Sequence, residues 1–210
     1  MDAIIFNLVP LLWVTWVIYW TIAARGTKKT QREESVASRL GHILPIGLAS
    51  WLLFARTLPG CASGTLPVFP PFFCEKVVAP GPAVYFTGVG VLIFGLAFAI
   101  WARRWLGRNW SGVVTLKQDH ELVRGGPYRL VRHPIYTGIL LGLVGSAIAR
   151  DEWRGFLAAG IGYAALWRKL KLEERWMIER FGDTYRNFQA EVPALIPNPL
   201  RWRRATGTGR

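Results

Sequence analysis

The sequence predicts an all-α integral membrane protein of about five transmembrane helices, with a polar loop and an amphipathic carboxy-terminal helix on one side of the bilayer. Three observations lead there. Only 19% of the 210 residues are charged and 51% are apolar, whereas a soluble domain of this size carries about a quarter charged residues. Long stretches lack charge altogether. Lys and Arg gather at the ends of those stretches, and mostly on alternate connections.

The elements follow in order. Ala3 to Ala24 and Val77 to Ala102 are uncharged, and Leu40 to Phe73 holds only His42 and Arg56, so each supplies the roughly 20 apolar residues that a span needs. Two shorter runs, Pro134 to Ala149 and Gly155 to Trp167, flank "RDEWR" and read as a helical hairpin. Trp153 and snorkelling Arg side chains would lengthen its ends. The first run is not a cleavable signal, because no basic stretch precedes it and no small-residue cleavage site follows. The chain divides into amino-terminal helices over 1–109, a second unit over 110–200 that contains the hairpin, and a basic tail over 201–210.

Charge sets the expected orientation. Arg25, Lys28, Lys29, Arg32 and Arg39 follow the first run, and Arg103, Arg104, Arg108, Lys117, Arg124, Arg129 and Arg132 follow the third. The opposite connections carry Lys76, Arg150 and Arg154. The positive-inside rule therefore places the amino terminus outside and the carboxy-terminal segment in the cytoplasm. The net charge of +13 does not point to nucleic acid, since these basic residues hug membrane edges, where anionic headgroups attract them.

Cys61 and Cys74 both lie in the Pro-rich outer connection. In an oxidising compartment they can close a ring, and they read equally well as two unrelated small apolar residues. Two Cys and three scattered His, namely His42, His120 and His133, make no metal-ligand set. His42 reads as a satisfied polar residue near a span end. Gly88, Gly90 and Gly95 sit inside the third run without a preceding strand, so they suit close helix packing rather than a phosphate loop.

Chemistry is therefore expected in the polar segments. The loop "SGVVTLKQDHELVRGGPYRLVRHPIY" joins two apolar runs, and a loop of that length in a compact chain is usually functional. Pro134 suits the first turn of a helix, and it pushes His133 toward an extended conformation. His133 and the opening amides of that helix then face a place that favours an anionic group. Tyr128 and Tyr136 add rings and hydroxyls suited to a flat base or a ribose. Taken singly, Tyr128, Arg129 and Arg132 read as interface anchors.

The second constellation is "LWRKLKLEERWMIERFGDTYRNF", in which Leu166, Leu170, Met177, Ile178 and Phe181 recur at helical spacing. The fifth span thus continues beyond the membrane as an amphipathic helix that ends near Gly182. Glu174 shares that stripe, and Lys169 lies four residues before Glu173. A carboxylate is costly where a helix leaves the bilayer, which makes Glu173 and Glu174 functional candidates.

The pattern made by Gly126, Pro127, Tyr128, Arg132, His133, Pro134, Tyr136 and Gly138 is followed by Glu173–Glu174, Phe181–Gly182, Tyr185 and the V-P-x-x-I-P run from Val192 to Pro197. Together they resemble the isoprenylcysteine carboxyl methyltransferase family and the related phospholipid methyltransferases, from Trp110 onward. The resemblance implies S-adenosylmethionine as cofactor, held at the cytoplasmic face. It implies cofactor contacts from His120, Glu121, Leu122 and Val123, more weakly from Thr115, and from Tyr128, His133, Pro134, Ile135, Tyr136, Glu173 and Glu174. In eukaryotic members an arginine four residues before Glu173 meets the substrate carboxylate; this chain has Lys169 there, with Arg168 beside it. Glu173, Lys169 and Arg168 are thus the implied catalytic set. The implied partners are the lipid bilayer and a lipophilic acceptor that enters from it.

The first function this suggests is carboxyl O-methylation of a lipidic or isoprenoid-linked acid. Alternatives are N-methylation of a phospholipid or amine, a non-catalytic membrane accessory protein, and a sterol-reductase-like enzyme. Shared architecture does not decide among them.

Overall fold

The computed structural model describes residues 2–25, 30–55, 70–79, 81–107, 110, 115–117 and 122–198. Within them run α1 (Asp2–Ala23), α2 (Val36–Phe54), α3 (Pro82–Leu106), α4 (Pro134–Arg150), α5 (Trp153–Phe181) and α6 (Asp183–Glu191). The helical expectation holds, with one addition. A short antiparallel ribbon joins β1 (Thr30–Glu33) to β2 (Thr115–Lys117), with Glu33 opposite Thr115.

Each helix starts where the local chemistry permits. Ser35 caps α2, its Oγ accepting from the Ser38 amide at 3.2 Å, so this helix begins before Leu40 and ends at Phe54, earlier than the apolar run suggests. Pro82 and Pro134 occupy the first positions of α3 and α4, where a missing N–H costs nothing. α2 and α3 are long and apolar enough to cross a membrane, while Leu8–Ala23 and α4 are apolar but shorter. α5 is apolar at first, then becomes the charged amphipathic helix, and it stops at Gly182 as the stripe predicts.

The broadest packing is between α3 and α4; α5 packs on both α4 and α2, and α1 leans on α3. Small residues make the first contact close. A Cβ at Gly145 of α4 would stand 2.6 Å from the carbonyl oxygen of Gly88. Of the three glycines expected to serve packing, Gly88 and Gly95 lie in this contact, whereas Gly90 faces open space. From α1, the indole of Trp13 donates to Ser146 Oγ of α4 at 2.9 Å.

The α4–α5 hairpin end is tied by charge rather than by snorkelling. Asp151 closes the turn in the left-handed region at φ 55°. Arg150 donates to Leu53 O at 2.7 Å and Ala55 O at 2.9 Å, and Arg154 to Ala55 O at 3.0 Å. The expected snorkelling is thus corrected: these guanidiniums turn inward to satisfy the carbonyls that end α2, which no further helical turn can reach. Glu152 bridges Arg150 and Arg154, and Lys76 Nζ donates to Arg150 O at 2.8 Å. Nearby, Cys74 is disulfide-bonded. Cys61, the only other cysteine of the sequence, lies outside the described residues, as does the 201–210 tail.

Overpacking the α3–α4 contact is expected to loosen the bundle. Gly145→Val should cost about 1–3 kcal/mol and lower the thermal unfolding midpoint in detergent, whereas Gly90→Ala should leave it unchanged.

Candidate functional site

The antiparallel run of α4 and α5 brings the start of α4 beside the later part of α5. There the two sequence constellations meet. Glu174 is 5% exposed, and its Oε1 accepts from Arg132 Nε at 2.9 Å, Arg132 Nη2 at 2.5 Å and His133 Nε2 at 3.3 Å. Burial alone would raise this carboxyl, but the hydrogen bonds from His133 and Arg132 and their charges outweigh it and hold the group down at about 2. Arg132 also donates through Nη1 to Gln189 O at 3.1 Å and to Val192 O. It is a buried clamp, which corrects its reading as an interface anchor.

The run from Val192 to Pro197 completes this clamp. The amides of Arg132 and His133 donate to Pro193 O at 2.9 Å and Ala194 O at 3.0 Å, and Thr137 Oγ1 donates to Leu195 O at 2.7 Å. Tyr185 is buried beside it; burial and the charge of Glu174 push its hydroxyl up. A groove of about 570 Å³ lined by Arg132, Gln189, Pro193 and Ala194 opens on this side.

Glu173 faces a different neighbourhood. The Tyr136 hydroxyl donates to its Oε1, His133 Nδ1 lies 3.6 Å from its Oε2, and its side chain remains 25% exposed. The rings of His133 and Tyr136 stack in parallel, 5.6 Å apart and 1° from coplanar. Lys169 Nζ lies over the Tyr136 ring at 5.6 Å. Burial would raise the Glu173 carboxyl, but the His133 hydrogen bond and the Lys169 charge bring it below its ordinary value. For His133, burial works against the charge, and the hydrogen bonds to Glu173 and Glu174 more than restore it, so its value is raised. The His133 ring thus lies between two carboxylates, which favour its charged form.

The remaining candidates divide. Tyr128 is buried beneath the cluster in a core with Ile135, Tyr136, Leu166 and Leu170; burial and the Glu173 charge push its hydroxyl up. Pro134 is buried as the opening residue of α4. Val123 packs on the same core, and Leu122 is half-buried beside it in sequence. Thr115 contributes to the ribbon through its backbone, while His120 and Glu121 lie outside the described residues. Arg168 is not brought to the cluster: its Nη1 donates to Ser38 O of α2 at 2.9 Å. Arg129 is exposed, as an anchor would be.

Three residues support the site through contacts that the sequence did not reveal, although Arg103 entered the charge pattern and Gly126 the motif. Arg103 donates to Gly107 O at 2.7 Å and to Ala23 O, with its guanidinium 4.4 Å from the Trp110 ring, which ties the ends of α1 and α3 together. Gly126 has φ 57°, and a Cβ there would enter the Trp105 ring, so the turn into Tyr128 needs a glycine. Glu34 is buried against His42. The RGG and isolated-Glu signals are visible in the sequence, but their partners lie far along the chain.

Residues 83–184 match the phospholipid methyltransferase family, a range that contains the loop, α4 and both glutamates. The chain thus resembles the phospholipid methyltransferases and, among curated proteins, the isoprenylcysteine O-methyltransferases, as its motifs predict. A protein-S-isoprenylcysteine O-methyltransferase of Schizosaccharomyces pombe is 29% identical over 61% of this chain and 55% of its own length. A methanethiol S-methyltransferase of Mycobacterium tuberculosis is 31% identical over 49% and 50%. Protein-S-isoprenylcysteine O-methyltransferase B of Arabidopsis thaliana is 26% identical over 52% and 57%. The chain thus spans about half the length of the curated relatives it matches.

Two outcomes test the cluster. The Glu174 ion pairs add stability above the ordinary carboxylate value, and this is lost only as pH falls toward about 2; Glu174→Gln, which leaves Arg132 and His133 without their charge partner, should cost about 3–5 kcal/mol in detergent unfolding. For His133, whose folded value is raised, the sign is opposite: its contribution is complete below the ordinary histidine value and is lost as pH rises through the raised one. With three histidines in the chain, imidazole NMR of histidine-labelled protein should show one ring titrating above its ordinary value, and Glu174→Gln should lower it.

Proposed function

We propose that this chain is a membrane-embedded, S-adenosylmethionine-dependent methyltransferase whose site is the Glu173 cluster and whose acceptor arrives from the bilayer. The observation that carries this reading is the convergence of the two motifs on one place, with Glu174 consumed by Arg132 and His133 and Glu173 left partly exposed. The donor set suits the cofactor. A sulfonium is a cation, and Glu173 presents a carboxylate beside the stacked rings of His133 and Tyr136. Pro134 has no N–H and the His133 and Thr137 amides are bonded to Ala194 O and His133 O, so it is the amides of Ile135 and Tyr136, without an intrahelical acceptor, that suit an amino-acid carboxylate.

When bound, S-adenosylmethionine supplies a methyl group already activated for displacement. The protein then has to position the acceptor and exclude water. Tyr136 and His133 fix Glu173 from two sides, and Lys169 lies over the Tyr136 ring where a carboxylate acceptor would need a cation. Arg168, engaged on Ser38, leaves Lys169 as the better candidate for that task. This geometry suits O-methylation of a lipidic acid. A proton-bearing acceptor is the second reading, favoured by a buried imidazole on α2.

The proposed topology has α1 to α5 crossing in alternate directions, with the amino terminus outside and the site at the cytoplasmic face. It is supported by the basic segments next to the site, and by a disulfide-bonded Cys74 at the other end, since disulfides persist in oxidising compartments.

Calorimetric titration of detergent-purified protein should show binding of S-adenosylmethionine and of S-adenosylhomocysteine, weakened at least about tenfold in His133→Ala. Glu173→Gln should keep the fold and lose methyl transfer. A folded wild type that binds neither compound would sink the proposal.

A further inference from the structure

A second polar pair stands next to the cluster, made by His42 of α2 and Glu34 just before that helix begins. His42 and Glu34 have side chains only 4% and 1% exposed, with Nε2 3.4 Å from Glu34 Oε1. Ser38 Oγ donates to Glu34 Oε2 at 3.0 Å. The other ring nitrogen of His42, Nδ1, is buried without a hydrogen-bond partner among the described residues. This corrects the expectation of a satisfied histidine. A buried polar atom left unpaired is costly, and the cost is explained if a ligand supplies the missing partner.

The packing of α2 on α5 puts this pair near the reacting region. The Arg168 guanidinium lies against the position of a Gly41 Cβ and holds Ser38. In that arrangement the charges of Lys169, Arg168 and Glu173 all reach the His42 ring, and the charge of Glu34 reaches Tyr136. The tautomer follows from the contacts. Nε2 keeps its hydrogen toward the Glu34 carboxylate, so the neutral ring presents a lone pair at Nδ1.

We propose that Glu34 and His42 form the base that takes a proton from the methyl acceptor, and that the acceptor is a lipophilic thiol. This rests on the methyl-transfer reading above and takes up its second acceptor, the proton-bearing one, in place of the lipidic acid. An imidazole base suits a thiol, which is protonated at neutral pH and becomes the nucleophile only as the thiolate; a carboxylate is already ionised and has no use for one. In the step, the thiol proton passes to His42 Nδ1 and the acceptor sulfur forms a bond to the methyl carbon. The electron pair of the broken carbon–sulfur bond stays on the donor's sulfur, which leaves S-adenosylhomocysteine and a methyl thioether. Glu34 stabilises the imidazolium until its proton returns to solvent.

The test uses the full chain in detergent with two thiols, decanethiol and 4-nitrothiophenol, the second already ionised at neutral pH, and an S-farnesylcysteine acid for comparison. Wild type should methylate both thiols. His42→Phe should lower kcat/KM for decanethiol about 100-fold or more, the usual worth of a general base, but should change 4-nitrothiophenol less than about threefold and leave S-adenosylmethionine affinity within about twofold by calorimetry. Glu34→Gln, which keeps size and a hydrogen bond, should show the same selective loss at about tenfold, and it carries the test if His42→Phe does not fold. An equal loss on both thiols, no loss on either, or a wild type that methylates only the farnesylcysteine acid would overturn the base and leave methyl transfer standing. A wild type that binds no S-adenosylmethionine would instead overturn the methyl-transfer reading.

Discussion

The carboxylate of Glu174 is the fixed point of the molecule's functional half. It draws Arg132 and His133 from the loop onto α5, and Arg132 in turn grips the carbonyls of Gln189 and Val192. One buried anion therefore joins the entry to α4, the late part of α5 and the segment after α6. A buried ion pair gains little over an apolar substitute, yet it is punishing to break. That asymmetry gives the junction a single arrangement.

Much of this was legible from residues alone. Uncharged runs gave helices near their observed positions, because apolar length is the dominant constraint in a bilayer. Pro134 announced the start of α4, and the Leu166 to Phe181 stripe announced that α5 would outrun its apolar part. The Glu173–Glu174 pair stood out because charge at such a place needs a reason. The bond pattern around Arg132 was not legible. An arginine at a membrane edge reads as an anchor until the chain about sixty positions later is known to lie against it.

Other failures share that cause. Arg150 and Arg154 were assigned to the membrane surface by composition, while the unsatisfied carbonyls that claim them belong to α2, nearly a hundred residues earlier. Glu34 had no periodic signal, and its partner His42 looked isolated. Arg168 and Lys169 are adjacent and equally charged, yet a turn of 100° between successive helical residues sends one to Ser38 and the other to Tyr136. Local pattern gives the face; it does not give the neighbour.

The same rotation separates Glu173 from Glu174, and this matters for how such a site can diversify. One carboxylate is sealed into the scaffold and the other stays open beside Tyr136 and His133. On the proposed function, errors at 174 fall on folding, whereas errors at 173 fall on chemistry, although one peptide bond joins them. A lineage can therefore explore new acceptors by altering the open side and α2 while the junction is inherited unchanged. In a mutational scan the two positions would sort into different classes, one read in protein abundance and the other in turnover.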